Sequence, residues 1–350
     1  MKPNNHLIKS QKLKIYFFLV AFLFFIAGLL FVNNLLVSTF LAFVGFFLLK
    51  PFVDFLERKG LSRLASTLVP FIFFSFLLLL LGVILLPLLS NQAELLRREL
   101  PKYIEGTQKL VISLEAKLES IMSLSSKNQI SAQIQDKLQL YAEYFFRDLP
   151  NALSNSLTVL FLAPFLTFFM LLDGKEFARK VISTVPNSYF ELMLYLQHQI
   201  IEQMGGFIRA RLLESVIVSL VVGVGLVILD FPYSLTLAIF AGILNLIPYL
   251  GPVIGIMPAV LIAWINNDPS SVLFWILFIY LLAQIIDAIF IVPLVVAKIV
   301  NLHPVIVVVV VMIGSQLMGI LGMIISIPLA SAIKVVYGAF YNHLTDNKNF

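Results

Sequence analysis

Apolar residues in this chain gather into long runs instead of alternating with polar ones. The runs are Phe17 to Val32, Leu35 to Leu49, Leu64 to Leu89, Ser156 to Leu172, Leu212 to Leu229 and Val272 to Val296. A helix needs roughly 17 to 25 residues to cross a hydrocarbon core of about 30 Å, so runs of this kind predict membrane-spanning helices. Two further apolar stretches, Leu235 to Ile247 and Val253 to Trp264, are each about 13 residues, or roughly 20 Å as helix, and too short to cross. Between them lies "PYLGP", with Pro248, Gly251 and Pro252, and Pro258 follows in the second stretch. Proline removes an amide donor and crowds the carbonyl four residues back, leaving backbone unpaired. Hydrocarbon tolerates broken backbone only where protein or a water-filled cavity covers it, so the break predicts a buried cavity near mid-membrane.

A second interruption follows the basic turn that holds Lys298 and His303. The run from Pro304 is split by Gly314, Ser315, Gln316 and Gly319 into a valine-rich half and a longer piece, Ile320 to Val336. Lys334 and Lys348 favour the cytoplasm, and a C-terminus there requires the first half to dip in and return. The first hairpin would enter from outside and the second from inside. Transporter folds place such a pair of interrupted segments at the substrate site. Packing is the competing reading, because Gly251 and Gly255 form a G-x-x-x-G that lets two helices touch.

Composition agrees with a membrane protein. Sixty percent of the residues are hydrophobic and 12% charged, against roughly 45–50% and 25% in a soluble domain. Lys9, Lys12 and Lys14 precede the first run as in a signal peptide, but no small-residue cleavage site follows before Asn33, so it reads as a retained span. Basic residues at the N-terminus, at Lys50, Arg58, Lys59 and Arg63, and at Lys175, Arg179 and Lys180 place these segments in the cytoplasm. The polar region Ser90 to Pro150 then lies outside. Its apolar positions Leu100, Tyr103, Ile104, Val111, Leu114, Leu118 and Ile121, then Ile130, Ile134, Leu138 and Tyr141 after "SLSSKN", predict an external helical hairpin. Between spans four and five, Phe190, Met193, Leu194, Ile200, Ile201, Met204 and Phe207 suggest a helix lying on the membrane surface, loosened at Gly205 and Gly206. Glu214 stands one turn after Arg211 and reads as its structural partner at a membrane edge.

The expected organisation is therefore all-α and polytopic. Residues 1–89 carry spans one to three, 90–153 the external arm, 154–211 span four and the connector, 212–340 the transport region and 341–350 a cytoplasmic tail. Several function classes are excluded. With no cysteine there are no disulfides or thiolate metal sites. His6, His198, His303 and His343 lie in separate segments without ligand spacing, so neither a metal centre nor a zinc protease is expected. No G-x-x-x-x-G-K-[ST] loop is present, which argues against ATP-driven pumping and leaves an ion gradient as the driving force. The net charge of +5 is spread over membrane-flanking loops and implies no nucleic-acid partner. No cofactor and no enzyme activity are expected.

The segments "GILNLIPYLGPVIGIMPAVLIA", "DAIFIVPLVVAKIVNLHPVIVV" and "GILGMIISIPLASAIKVV", in that order after "FFMLLDG", resemble the autoinducer-2 exporter family, also called the PerM-like permeases. The resemblance runs over nearly the whole chain. It implies a bacterial inner-membrane protein with about eight membrane segments and cytoplasmic termini, assembled as a homo-oligomer, to which the interruptions read above add two broken or re-entrant hairpins. It also implies export of a small polar solute such as autoinducer-2, or exchange of a monovalent cation for protons.

Candidate transport residues are the polar groups at membrane depth. Asp287 lies among apolar residues, where an ionisable group is expensive unless it pairs, titrates or meets water. It either takes part in coupling or caps unpaired backbone near a hairpin. Gln284, three residues earlier, shares its helical face. Asn245 beside the first break and Gln316 inside the second either contact the ligand or satisfy a neighbouring amide. Tyr249 either lines the path or anchors the hairpin. A rival of another class is a non-transporting membrane scaffold that acts through its external arm.

Overall fold

The computed structural model describes residues 34–122, 158–183, 185, 189–247, 250–289 and 302–346, with the single positions 20, 28 and 140. Most of the first apolar run and the second helix of the arm lie outside the described residues. The described chain is helical: α1 Leu35–Arg58, α2 Arg63–Met122, α3 Thr158–Ile182, α4 Phe190–Ile228, α5 Ser234–Asn245, α6 Leu250–Ile265, α7 Ser270–Ile286 and α8 Pro304–Asp346. Six helices are long and apolar enough to cross a membrane, and α5 and α6 are shorter apolar helices. Large apolar side chains such as Phe73, Leu79, Leu220, Val224 and Ile228 are mostly exposed. Contiguous apolar surface on this scale marks contact with lipid. The protein is a polytopic all-α membrane protein.

Two compact units make up the chain. One draws on Met1–Leu77, Asn155–Ala210 and Leu294–Phe350, the other on Leu78–Ser154 and Arg211–Pro293. In the first unit, Leu49 and Val53 of α1 pack on Leu171 of α3, with Phe46, Phe71 and Phe74 around them. Charges tie the α1–α2 turn to α3. Lys175 bridges Asp54 at 2.9 Å and also contacts Glu57, while Arg63 pairs with Glu57 at 2.5 Å and donates to the carbonyls of Leu171 and Leu172.

Helix α4 corrects one expectation. It runs unbroken from Phe190 to Ile228, straight through Gly205 and Gly206. A separate surface helix does not form because Leu196, Phe207 and Ala210 are buried, and Arg209 Nη1 donates to the Phe47 carbonyl at 2.9 Å. Helix α8 bends back at Met318 (φ −142°, ψ 17°) and Gly319 (φ 60°, ψ −139°). A Cβ on Gly322 would stand 1.9 Å from the Gly314 carbonyl oxygen, so the two halves of α8 meet backbone to backbone at these glycines.

In the second unit, α4 to α7 share one apolar core with Val222, Leu226, Leu237, Ile262 and Ile276 at its centre. Ala238, Ala241, Ala259 and Ala263 are almost fully buried there. Small side chains let helix backbones approach closely, which is how helices associate where lipid removes the usual apolar driving force. Helix α2 continues past Ser90 without interruption, and its polar stretch grips the α5–α6 hairpin. Gln92 Oε1 accepts from the Thr236 amide at 2.9 Å and from its hydroxyl at 2.8 Å, satisfying a first-turn donor of α5. Glu99 Oε2 accepts from both Tyr103 and Tyr233 at 2.9 Å, and Lys102 donates to Asn266 at 2.6 Å beyond the end of α6.

Candidate functional site

The α5–α6 break is narrower than the proline pattern suggests. Helix α5 ends at Asn245 and α6 begins at Leu250. Pro252 therefore falls in the first turn of α6, where a missing amide leaves no helical bond unmade, and α6 runs through Pro258. Gly251 is the closest point of the turn. A Cβ there would stand 2.3 Å from the Leu244 carbonyl oxygen and 2.6 Å from the Asn245 Cα. A Cβ on Gly255 would stand 3.3 Å from the Ala241 Cα, so this glycine, inside α6, serves helix contact and does not break the chain. Pro248 and Tyr249 lie outside the described residues.

Beside this turn is a cavity of about 20 Å³ lined by Val218, Ala241, Asn245, Gly251, Pro252, Gly255, Tyr280, Ala283 and Gln284. That is room for one water-sized occupant. Asn245 and Tyr280 are 4% and 8% exposed, and neither Asn245 Nδ2 nor the Tyr280 hydroxyl has a hydrogen-bond partner among the described residues. Buried polar atoms are almost always satisfied, so this cavity offers two unused polar contacts to whatever enters it.

Through Gln284 the cavity adjoins a set of charged groups. Helix α7 widens into a π-helical turn at residues 287–289, a feature concentrated at functional sites. Asp287 opens that turn, is 4% exposed, and accepts from Gln284 Nε2 at 3.4 Å. Glu214 on α4 is 1% exposed and accepts from Arg211 Nη1 at 2.6 Å. Glu214 and Asp287 act on each other electrostatically, and Arg211 acts on both. Next to them Ser215 Oγ donates to the Gly242 carbonyl at 2.7 Å and joins α4 to α5. The arrangement sets two buried carboxyl groups and one guanidinium inside an apolar helix bundle, groups able to hold or release a proton.

Of the residues expected from sequence, the structure brings together Asp287, Gln284, Asn245, Gly251, Pro252 and Gly255 in the second unit. Gln316, Gly314 and Gly319 fall in the first unit, and Gln316 is exposed beside the bend of α8. The sequence pointed to the Arg211–Glu214 pair and not to Asp287 as an electrostatic neighbour of Glu214. It also missed Tyr280, although a signal exists: Tyr280, Gln284 and Asp287 stand at i, i+4 and i+7, one helical face that gathers the polar groups of α7.

Known proteins can now be set beside this geometry. The chain is 28% identical over 320 residues to the protein named "Putative transport protein YueF" of Bacillus subtilis, a match that covers 88% of this chain and 85% of that one. To "Putative permease PerM" of Escherichia coli K12 it is 26% identical over 322 residues, covering 91% and 89%. To "AI-2 transport protein TqsA" of the same bacterium it is 24% identical over 329 residues, covering 94% and 93%. The profile of the AI-2E family transporter matches residues 19–342, a span that takes in every described helix and nearly all of α8, and the chain therefore belongs to the AI-2E transporter family.

Proposed function

We propose that this chain is a secondary transporter of a bacterial inner membrane that exchanges a monovalent cation for protons at the pocket beside the α5–α6 break. One observation carries the reading: Asp287 is buried in a bilayer-spanning helix and joins, through Gln284, a cavity with two unsatisfied polar groups. Intramembrane ionisable residues mark ion and proton pathways because burying them for structure alone is costly. An occupant the size of one water fits a stripped cation or a water and excludes a sugar-like solute in this conformation. The absence of a phosphate-binding loop leaves an ion gradient as the energy source.

A second reading is export of a small polar solute of the autoinducer-2 kind, driven by the same coupling. It is supported by the likeness to the relative named "AI-2 transport protein TqsA" over 94% of this chain. The two readings share the coupling site and differ in cargo. Homo-oligomeric assembly and cytoplasmic termini complete the proposal.

The test is the purified protein in liposomes that enclose a pH dye. A sodium, lithium or potassium jump is expected to change the internal pH with wild-type protein, and Asp287→Asn is expected to slow that response at least about tenfold, about 1.4 kcal/mol, while assembling normally. A response to labelled autoinducer-2 alone would favour the second reading. Wild-type rate and pH dependence in Asp287→Asn would show that Asp287 is structural.

A further inference from the structure

We infer that Gln284 couples the two halves of the exchange. Its amide oxygen takes the cation in the cavity while its amide nitrogen holds Asp287 as a carboxylate, so the cation and the Asp287 proton exclude each other. The inference rests on the transporter reading above and adds to it a coupling residue and a rule for the pH dependence.

The geometry supplies the reasons. Gln284 lines the cavity and also reaches Asp287, donating through Nε2 to Oδ2 at 3.4 Å. Asp287 does not line the cavity, so an occupant acts on it across space or through Gln284. The cavity carries its own sign of a ligand: Asn245 and Tyr280, each more than nine-tenths buried, line it with an amide nitrogen and a hydroxyl that have no partner among the described residues. A stripped cation needs oxygens, and Tyr280 and Gln284 each bring one. A third is at hand in the Asn245 amide, whose nitrogen no partner among the described residues holds in place. Among the described residues, the charged groups acting on Asp287 are Glu214 and Arg211 of α4, and neither lines the cavity. They set the background on which Gln284 acts, and Tyr280 is the other titratable group on this face of α7.

The chemistry of one amide then links the two positions. A side-chain amide is an acceptor at one end and a double donor at the other. With Nε2 on Asp287, the oxygen faces away from the carboxylate. A cation on that oxygen polarises the amide and strengthens the N–H bond to an ionised Asp287. Charge-assisted bonds are shorter than neutral ones, so a contact of 3.4 Å has room to tighten. A protonated Asp287 does the opposite: its O–H is a donor, best met by the amide oxygen, which turns the amide nitrogen toward the cavity, where it repels a cation. When a cation arrives, the Asp287 O–H bond breaks, the electron pair stays on the carboxylate and the proton leaves for water. One positive charge enters and one departs. The coupling is reciprocal, so protonation of Asp287 expels the cation.

Liposomes separate cation binding from coupling. Counterflow, in which labelled sodium exchanges for unlabelled sodium without a pH gradient, needs only the cavity, whereas exchange driven by a pH gradient needs the cavity and Asp287 together. Wild type is expected to show both. Its half-saturating sodium concentration is expected to rise about tenfold for each pH unit of acidification once Asp287 holds its proton, the slope for one proton per cation. Gln284→Met removes the amide at nearly constant length. It is expected to keep counterflow, to lose the pH dependence of half-saturation and to slow gradient-driven exchange at least about tenfold. Gln284→Leu, which also lacks the amide, keeps the test decisive should Gln284→Met fail to fold. A wild-type slope and gradient-driven rate in Gln284→Met would overturn the inference. So would loss of both activities in a variant that melts like wild type, because Gln284 would then be a ligand or a packing residue and no coupler. Wild-type liposomes with neither activity for sodium, lithium or potassium would instead defeat the transporter reading. Proton release on adding sodium to the full-length protein in detergent, present in wild type and lost in Gln284→Met, would in that case still report the link.

Discussion

At the α5–α6 interruption Asn245 is buried against a cavity, whereas at the bend of α8 Gln316 is exposed and glycine backbone fills the space between the halves. Both interruptions reverse an apolar helix, and both rely on a glycine at a contact where no side chain fits. They differ in what lies behind the turn. In the second unit, Tyr280 and Gln284 of α7 line the gap, and Gln284 donates to the buried Asp287. In the first unit, the buried polar groups of α8 are Ser326 and Ser331, which bond the Met323 carbonyl at 2.8 Å and Gln203 at 2.7 Å. Their hydrogen bonds are already made. A broken helix is thus a place where a site can be built, and buried polar groups with unused bonds turn it into one.

The largest effects test what the two turns have in common. Gly251→Ala and Gly322→Ala each push a methyl into backbone, at 2.3 Å and 1.9 Å respectively. Backbone yields less than a side chain, so each is expected to destabilise the protein by about 3 kcal/mol, the upper end of the usual overpacking range. Thermal melts in detergent and the yield of assembled protein check this. A neutral Gly251→Ala would mean that the first turn is loose, and the comparison between the two turns would fail there.

A smaller effect is expected at Gly319. Its φ of 60° lies where side chains are strained, yet nothing stands within 4 Å of an added Cβ. Gly319→Ala is expected to lower stability by about 2 kcal/mol through backbone strain alone, with transport rate retained in whatever folds. A stability equal to wild type would show that the bend has other conformations available.

The polar residues separate the turns by function. Tyr280→Phe removes a hydroxyl without a partner among the described residues, so melting should shift by less than about 0.5 kcal/mol. Cation-driven flux is expected to fall about tenfold, about 1.4 kcal/mol, roughly one hydrogen bond to a charged group. Gln316→Leu, on the exposed bend, is expected to change neither melting nor flux. Should Gln316→Leu abolish flux while Tyr280→Phe does not, the functional turn is the one in α8.

Much of this was legible along the chain. Run lengths gave the spans, and "PYLGP" located the first break, because proline acts within one turn of its own position. Asp287 and Gln284 stood out as polar groups in an apolar run. The role of the polar stretch after Ser90 was less legible: helical spacing predicted a helix, but not that Gln92, Glu99 and Lys102 would reach the two ends of the α5–α6 hairpin. Which way Gln316 faces was not legible, because polarity inside an apolar run does not say which way a side chain points.

By itself the sequence determined which segments partition into hydrocarbon and where the helices must stop, since transfer from water to lipid and the loss of an amide at proline are properties of single residues and their immediate neighbours. Only the tertiary structure decided which polar groups meet. Glu214 and Asp287 lie on helices far apart in the chain, and each could have been satisfied locally, by Arg211 and by Gln284. Packing of small residues such as Ala238, Ala241 and Ala263 in the core shared by α4 to α7 makes the two carboxyls electrostatic neighbours. That proximity depends on how close two backbones can come, which is set by all the side chains between them at once.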